Sequence, residues 1–133
     1  MRSVGIIGTG AFLPEKVLTN KDLEKMVNTS DEWIVSRTGI RERRIASDDQ
    51  ACSDLATEAG RRALESAGIT ADQLDLIIVA TVTPDTMFPA TACLVQERLQ
   101  AEKAATFDLS AACSGFIYGI ATASQFIATG IYR

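Results

Sequence analysis

Phe107-Asp108-Leu109-Ser110-Ala111-Ala112-Cys113-Ser114-Gly115-Phe116 reads as a strand, a small-residue turn, a cysteine and the opening of a long helix. Cys113 then stands at or beside the helix's first turn. Unpaired amides and the positive end of the helix dipole favour a thiolate there, the nucleophilic form of cysteine. Ala111, Ala112 and Gly115 leave the sulfur open to a carbonyl carbon, and the same amides are suited to holding a tetrahedral oxyanion. The bland alternative for any cysteine is a small buried apolar side chain. That alternative is applied to Cys52, on an apolar helix face, and to Cys93, within Ala92-Cys93-Leu94-Val95. For Cys113 the strand-end, helix-start setting favours the nucleophile.

A second cluster spans Thr29-Ser30-Asp31-Glu32-Trp33-Ile34-Val35-Ser36-Arg37, continuing through Thr38 and Gly39 to Arg41, Arg43 and Arg44. Trp33, the only tryptophan, lies one helical turn before Arg37, so the two side chains share a face. An indole can stack on a nucleobase and guanidinium groups pair with phosphates, a combination suited to coenzyme A. A half-buried tryptophan beside a solvated arginine loop accounts for the spacing equally well. Gly8-Thr9-Gly10 suggests a phosphate-binding turn, but Leu13 occupies the third glycine's place and Pro14 interrupts the region where a helix should run. A plain strand-to-loop turn is favoured.

Around these residues the patterning predicts strands over Val4–Gly8, Leu74–Val82 and Ala105–Leu109. Helices are predicted over Asn20–Val27, Ser30–Ser36, Ala51–Ala67, Thr91–Gln100 and Ser114–Thr129. Thr29-x-x-Glu32 has capping-box spacing, and Gly68 and Gly130 stand as helix stops. Cys52, Leu55, Ala56, Ala59, Ala63 and Ala67 form a stripe of mostly small side chains along one helix face, which permits close packing. Strands alternating with helices point to an α/β layered fold with a largely parallel sheet. After Gly130, Ile131-Tyr132-Arg133 begins a further element, so the chain reads as a fragment or as one that needs a partner segment to cover its apolar surface.

The 133 residues are 47% hydrophobic and 23% charged, an ordinary globular balance with room for one core. Thirteen basic and 17 acidic residues leave a net charge of −4, which argues against a nucleic-acid binder acting through phosphate neutralisation. No apolar run is long enough for a signal peptide or a membrane span, so a soluble cytoplasmic protein is expected. Three widely spaced cysteines without a CxxC pair, and no histidine, suggest neither a disulfide framework nor a metal site.

Taken together, Gly5-Ile6-Ile7-Gly8-Thr9-Gly10, Thr29-Ser30-Asp31-Glu32-Trp33-Ile34, Arg37-Thr38-Gly39-Ile40-Arg41-Glu42-Arg43, Pro84-Asp85 with Phe88-Pro89, and Asp108 to Phe116 around Cys113 resemble β-ketoacyl-acyl-carrier-protein synthase III. The cysteine motif alone is shared with sister condensing enzymes, and its combination with the Trp33 block singles out this branch. The resemblance implies a thiolase-like fold, layered with helices on both faces of the sheet, of which residues 1–133 are one incomplete half. It implies that Cys113 accepts an acyl group from acyl-CoA and passes it to the carbanion from decarboxylated malonyl-acyl-carrier protein. It matches Trp33 to the residue that stacks on the adenine of coenzyme A, Thr29 to a neighbour of that ring and Arg37 to a phosphate contact. Phe88 matches a residue that helps shape the acyl pocket across a homodimer, whose interface would include the strand around Phe107. No cofactor is implied, since acyl-CoA is a substrate.

The family also uses a histidine and an asparagine from its second half to favour decarboxylation. The chain has no histidine, and Asn20 and Asn28 lie in other motifs. The 133 residues are therefore expected not to complete condensation alone. A polyketide-starting or hydroxymethylglutaryl-type synthase, and a non-catalytic truncated module with Cys113 idle, are the alternatives.

Overall fold

A computed structural model describes residues 2–133. In chain order the elements are β1 (Lys16–Thr19), α1 (Asn20–Glu24), α2 (Asp31–Thr38), β2 (Glu42–Ile45), α3 (Cys52–Ala67), β3 (Leu76–Ala80), α4 (Thr91–Leu99), β4 (Ala105–Leu109) and α5 (Gly115–Thr129). Short 3-10 turns at Ala71–Gln73 and Ala112–Ser114 precede β3 and α5. Leu13–Gln50 form one compact unit, and Ala51–Arg133 with the residues up to Phe12 form the other.

In the larger unit β3 and β4 pair in parallel, with Leu76 opposite Ala105 and Ala80 opposite Leu109. Successive side chains on a strand point to opposite faces. Val79 joins Ala92 and Val95 in a buried cluster, against which Ile77, Cys52, Ala56 and Leu99 pack. Ile78 and Ala80 face the other way, toward Gly119 and Gly115 of α5. Helices thus cover both faces of the parallel pair, as the α/β patterning predicts. Apart from Asp108, both strands carry β-branched or apolar residues on either face, as suits a parallel pair with helices on both sides, and Ala80 and Ala105 are the exposed positions.

The strand predicted over Val4–Gly8 does not form. Among the described residues no strand pairs with this segment, and Ile6 and Ile7 are exposed. It lies along α3 instead: a Cβ on Gly8 would come within 2.6 Å of the Ala63 carbonyl oxygen, and one on Gly10 would meet the backbone of Ala59 and Ala63. The small-residue stripe of α3 therefore divides its work. Cys52 and Ala56 pack on the sheet's core, while Ala59, Ala63 and Ala67 admit the backbone of the N-terminal segment. Arg62 fastens that segment by donating to the Ala11 carbonyl at 2.8 Å, with its guanidinium 5.3 Å from the Phe12 ring centroid.

Asp108 ties β4 to α4. Its two carboxylate oxygens accept from the backbone N–H groups of Thr91 and Ala92, each at 2.8 Å. Ala90 at the cap position of α4 offers no side-chain acceptor, so a carboxylate from the strand does the capping. Asp108→Asn replaces one acceptor by a donor facing an amide N–H. The expected result is a loss of about 2–3 kcal/mol, read as a fall in the urea midpoint with unchanged m.

The smaller unit holds an antiparallel β1–β2 ladder, with Lys16 opposite Ile45 and Thr19 opposite Glu42, which the patterning did not predict. Its centre is Asn20, 1% exposed. The Asn20 amide donates to Asp31 Oδ1 and to the Ile40 carbonyl, both at 2.8 Å, and its oxygen accepts from Arg43 Nη2 at 2.9 Å. One side chain thereby joins the start of α2, the turn after α2 and β2. α1 is shorter than the predicted Asn20–Val27 and begins with a capping box between Thr19 and Asp22. Hydrogen bonding from the Thr19 hydroxyl, with help from its backbone N–H and Lys25, lowers the Asp22 carboxyl to about 2.

Candidate active site

β4 ends at Leu109, Ser110 and Ala111 follow, and Ala112–Ser114 make a single 3-10 turn before α5 begins at Gly115. Cys113 sits in that turn with its side chain exposed. Ala112 just before it has φ +46°, a left-handed conformation that costs an L-residue about 1–2 kcal/mol. The turn is held in that shape by Ser114 N–H to Ala111 O at 3.0 Å, and by Gly115 N–H to Ala112 O. Gly115 is buried, and a Cβ there would stand 3.2 Å from Ala80 Cβ, so α5 starts close against β3. Ser114 makes no capping bond, so the first-turn amides of α5 receive no side-chain acceptor from their cap residue. An accessible sulfur beside them, on a strained turn fixed by the sheet, suits nucleophilic attack on a carbonyl.

The other cysteines differ as expected in setting but are half-buried rather than fully enclosed. Cys52 packs on the core cluster with its sulfur 3.5 Å from Thr81 Oγ1, and Cys93 lies 3.3 Å from Thr106 Oγ1. Phe88 is on the loop between β3 and α4, with Met87 beside it, and both are almost fully exposed.

Thr29, Trp33 and Arg37 belong to the smaller unit. Ser30, not Thr29, caps α2: its hydroxyl accepts from Trp33 N–H at 3.1 Å, and the expected Thr29–Glu32 box is replaced by this single bond one residue later. Both adjacent residues carry a hydroxyl, and Ser30 is the one at the cap position. Thr29 is half-buried ahead of the helix. Trp33 and Arg37 share a face as their spacing predicts, with the guanidinium 5.7 Å from the indole centroid. Trp33 is 56% exposed and, among the described residues, Arg37 has no carboxylate within ion-pair distance. A broad aromatic face and a free cation are thus presented together, which suits an aromatic phosphate ester. Below them Ile34 is buried.

Parallel strands covered by helices on both faces, with a strand-turn-helix junction presenting a cysteine, form a thiolase-like α/β arrangement. The comparisons narrow this. Residues 107–133 match the family described as 3-Oxoacyl-[acyl-carrier-protein (ACP)] synthase III. A beta-ketoacyl-[acyl-carrier-protein] synthase III of Desulfitobacterium hafniense is 65% identical over all 133 residues, which span 40% of that protein. The 3-oxoacyl-[acyl-carrier-protein] synthase III of Aquifex aeolicus is structurally similar, with TM-score 0.90 and 57% identity over 94% of this chain and 40% of that one. The priming beta-ketosynthase of the R1128 polyketide pathway gives TM-score 0.92 and 37% identity over 96% of this chain and 38% of that one. From end to end the chain is similar to the N-terminal part of the β-ketoacyl-acyl-carrier-protein synthases III. It spans about 40% of the length of the curated relatives it matches.

Asn20 and Asp108 were not singled out by the sequence for any role. The available signal was physical: an acidic residue inside the predicted strand Ala105–Leu109 must find donors if it is enclosed.

Proposed function

We propose that Cys113 takes an acyl group from acyl-CoA as the first half of a condensation with malonyl-acyl-carrier protein that initiates fatty-acid chains. The thiolate sulfur attacks the thioester carbonyl, the first-turn amides of α5 stabilise the oxyanion, and the C–S bond to coenzyme A breaks. Coenzyme A leaves as its thiolate and takes a proton from solvent. Trp33 stacks on the adenine with Thr29 beside that ring, Arg37 pairs with phosphate, and Phe88 shapes the acyl pocket across a homodimer. The protein works in the cytoplasm, without a cofactor, nucleic acid or membrane. Condensation calls on histidine chemistry that these 133 residues do not contain, so alone they stop at the acyl-enzyme.

The observation that carries this reading is the exposed sulfur on a strained turn before α5, inside the segment that matches the family. Incubation with acetyl-CoA followed by peptide mass mapping is expected to find the acetyl group on Cys113 and not on Cys52 or Cys93. Unmodified Cys113 in a folded sample would sink the proposal. Trp33→Ala should weaken acyl-CoA binding by about 5- to 150-fold, the range for losing one base-stacking contact, measured by titration calorimetry. An unchanged affinity removes Trp33 from the site.

The likeness to a polyketide priming ketosynthase supports a second reading with the same acyl-cysteine and a different extender or acceptor. Competition between malonyl carriers of the two kinds separates them.

A further inference from the structure

We propose that Asp85 is a positioning residue that clamps the base of the loop carrying Phe88 and so sets which acyl chains are accepted. This rests on the reading of Phe88 as part of the acyl pocket. Between β3 and α4 the loop ends in two apolar side chains, Met87 and Phe88, 99% and 90% exposed. Apolar groups held in water are unfavourable unless they meet something else. Thr86 Oγ1 donates to the Pro89 carbonyl at 3.1 Å and closes the tip into a tight turn.

The base is tied down by three hydrogen bonds, two to Ser53 of α3 and one to Thr91 of α4. The Asp85 carboxylate accepts the backbone N–H of Ser53 at 2.8 Å and also the Ser53 hydroxyl. Ser53 is fully buried in the first turn of α3, whose cap residue Ala51 supplies no side-chain acceptor. Asp85 is therefore an anionic cap delivered to α3 by a distant loop. Ser53 Oγ accepts from Arg98 Nη1 at 2.6 Å, and the same Nη1 donates to Asp54 at 2.8 Å, so the hydroxyl's orientation is fixed by α4. The Asp85 N–H donates to Thr91 Oγ1 at 3.2 Å, and Thr91 is fully buried with its own N–H on Asp108. A continuous run of hydrogen bonds thus links Ser53, Asp85, Thr91 and Asp108, and Asp108 lies on the strand that delivers Cys113. The loop tip is free while its root is registered to the nucleophile's strand. Displacing the root moves Phe88 relative to any chain attached to Cys113, and a misplacement of about 1 Å is enough to change rates substantially.

The test compares Asp85→Ala, Asp85→Asn, Phe88→Ala and the Asp85→Ala/Phe88→Ala double variant. Release of coenzyme A thiol is followed with acetyl-CoA and with octanoyl-CoA. Asp85→Ala is expected to change the octanoyl-to-acetyl ratio of the second-order acylation rate constant, read in a single turnover, by about fivefold or more, in the same direction as Phe88→Ala. The double variant should shift it no further, because both changes remove one placement. Asp85→Asn, which keeps one acceptor, should fall between. Equal losses on both substrates, or an unchanged ratio where Phe88→Ala shifts it, would overturn the proposal and leave Asp85 a stability residue. Hydrogen exchange of residues 82–90 supplies a readout independent of chemistry. Exchange should rise about tenfold or more in Asp85→Ala, and unchanged exchange overturns the clamp. If the wild-type protein releases no coenzyme A while the clamp is seen by exchange, the functional reading fails and the anchoring stands.

Discussion

Cys113→Ala is expected to leave the protein folded and to lower acyl transfer from acyl-CoA by about 10⁴-fold or more, the scale seen when a covalent nucleophile is removed. The two halves of that expectation have separate causes. The side chain is exposed and makes no hydrogen bond among the described residues, so its loss should move stability by no more than about 0.5 kcal/mol. The chemistry, in contrast, has no ready substitute, because Cys52 packs on the core, Cys93 is half-buried, and both face threonine hydroxyls. Cys113→Ser keeps the shape but offers a hydroxyl that is far less nucleophilic at neutral pH, so it should also fail. The measurement is coenzyme A thiol release under single-turnover conditions, beside a denaturation curve for each variant. Residual acylation within tenfold of wild type in Cys113→Ala would move the nucleophile elsewhere.

The region around Cys113 was legible in the sequence because each of its parts is locally determined. β-Branched and apolar residues make β4, small residues make the turn, and a long apolar run closed by Gly130, at φ +83°, makes α5. α3 was legible for the same reason, with Gly68 at φ +66° as its stop. The Trp33–Arg37 pair needed only helical spacing. What escaped depends on partners distant along the chain. β1 and β2 are short, and β2 is mostly charged; they are held by Arg43 donating to the Leu18 carbonyl and to Asn20, which no periodicity encodes. Asp85 caps α3 from 32 positions away, so a window along α3 finds only Ala51 where a cap should be. Val4–Gly8 misled for the opposite reason. Its composition says that the segment wants cover but not which element provides it, and the described structure leaves Ile6 and Ile7 exposed while Gly8 meets α3.

Gly10→Ala should be the most destabilising single methyl addition in the chain, costing about 3 kcal/mol or more. Gly10 does not have a positive φ, so the backbone there would accept an L-residue and the requirement is for space alone. The new Cβ would overlap the Ala59 carbonyl oxygen and the Ala63 amide nitrogen, with the Arg62 carbonyl carbon at 2.9 Å. Those are helix backbone atoms, and moving them breaks the hydrogen bonds of α3, whereas a flexible side chain could have swung aside. Against a total stability of about 5–15 kcal/mol, such a loss is roughly a fifth to more than half of the whole, and the urea midpoint should fall in proportion. Gly5 is the control, since a Cβ there meets nothing within 4 Å and Gly5→Ala should be neutral or slightly stabilising. The pair also decides what Gly8-Thr9-Gly10 is for. A phosphate-binding turn would leave stability nearly intact and lose a ligand, whereas close packing on the alanine stripe loses the fold first. Equal midpoints for Gly5→Ala and Gly10→Ala would mean that the N-terminal segment does not lie on α3, and the division of labour along that helix would have to be abandoned.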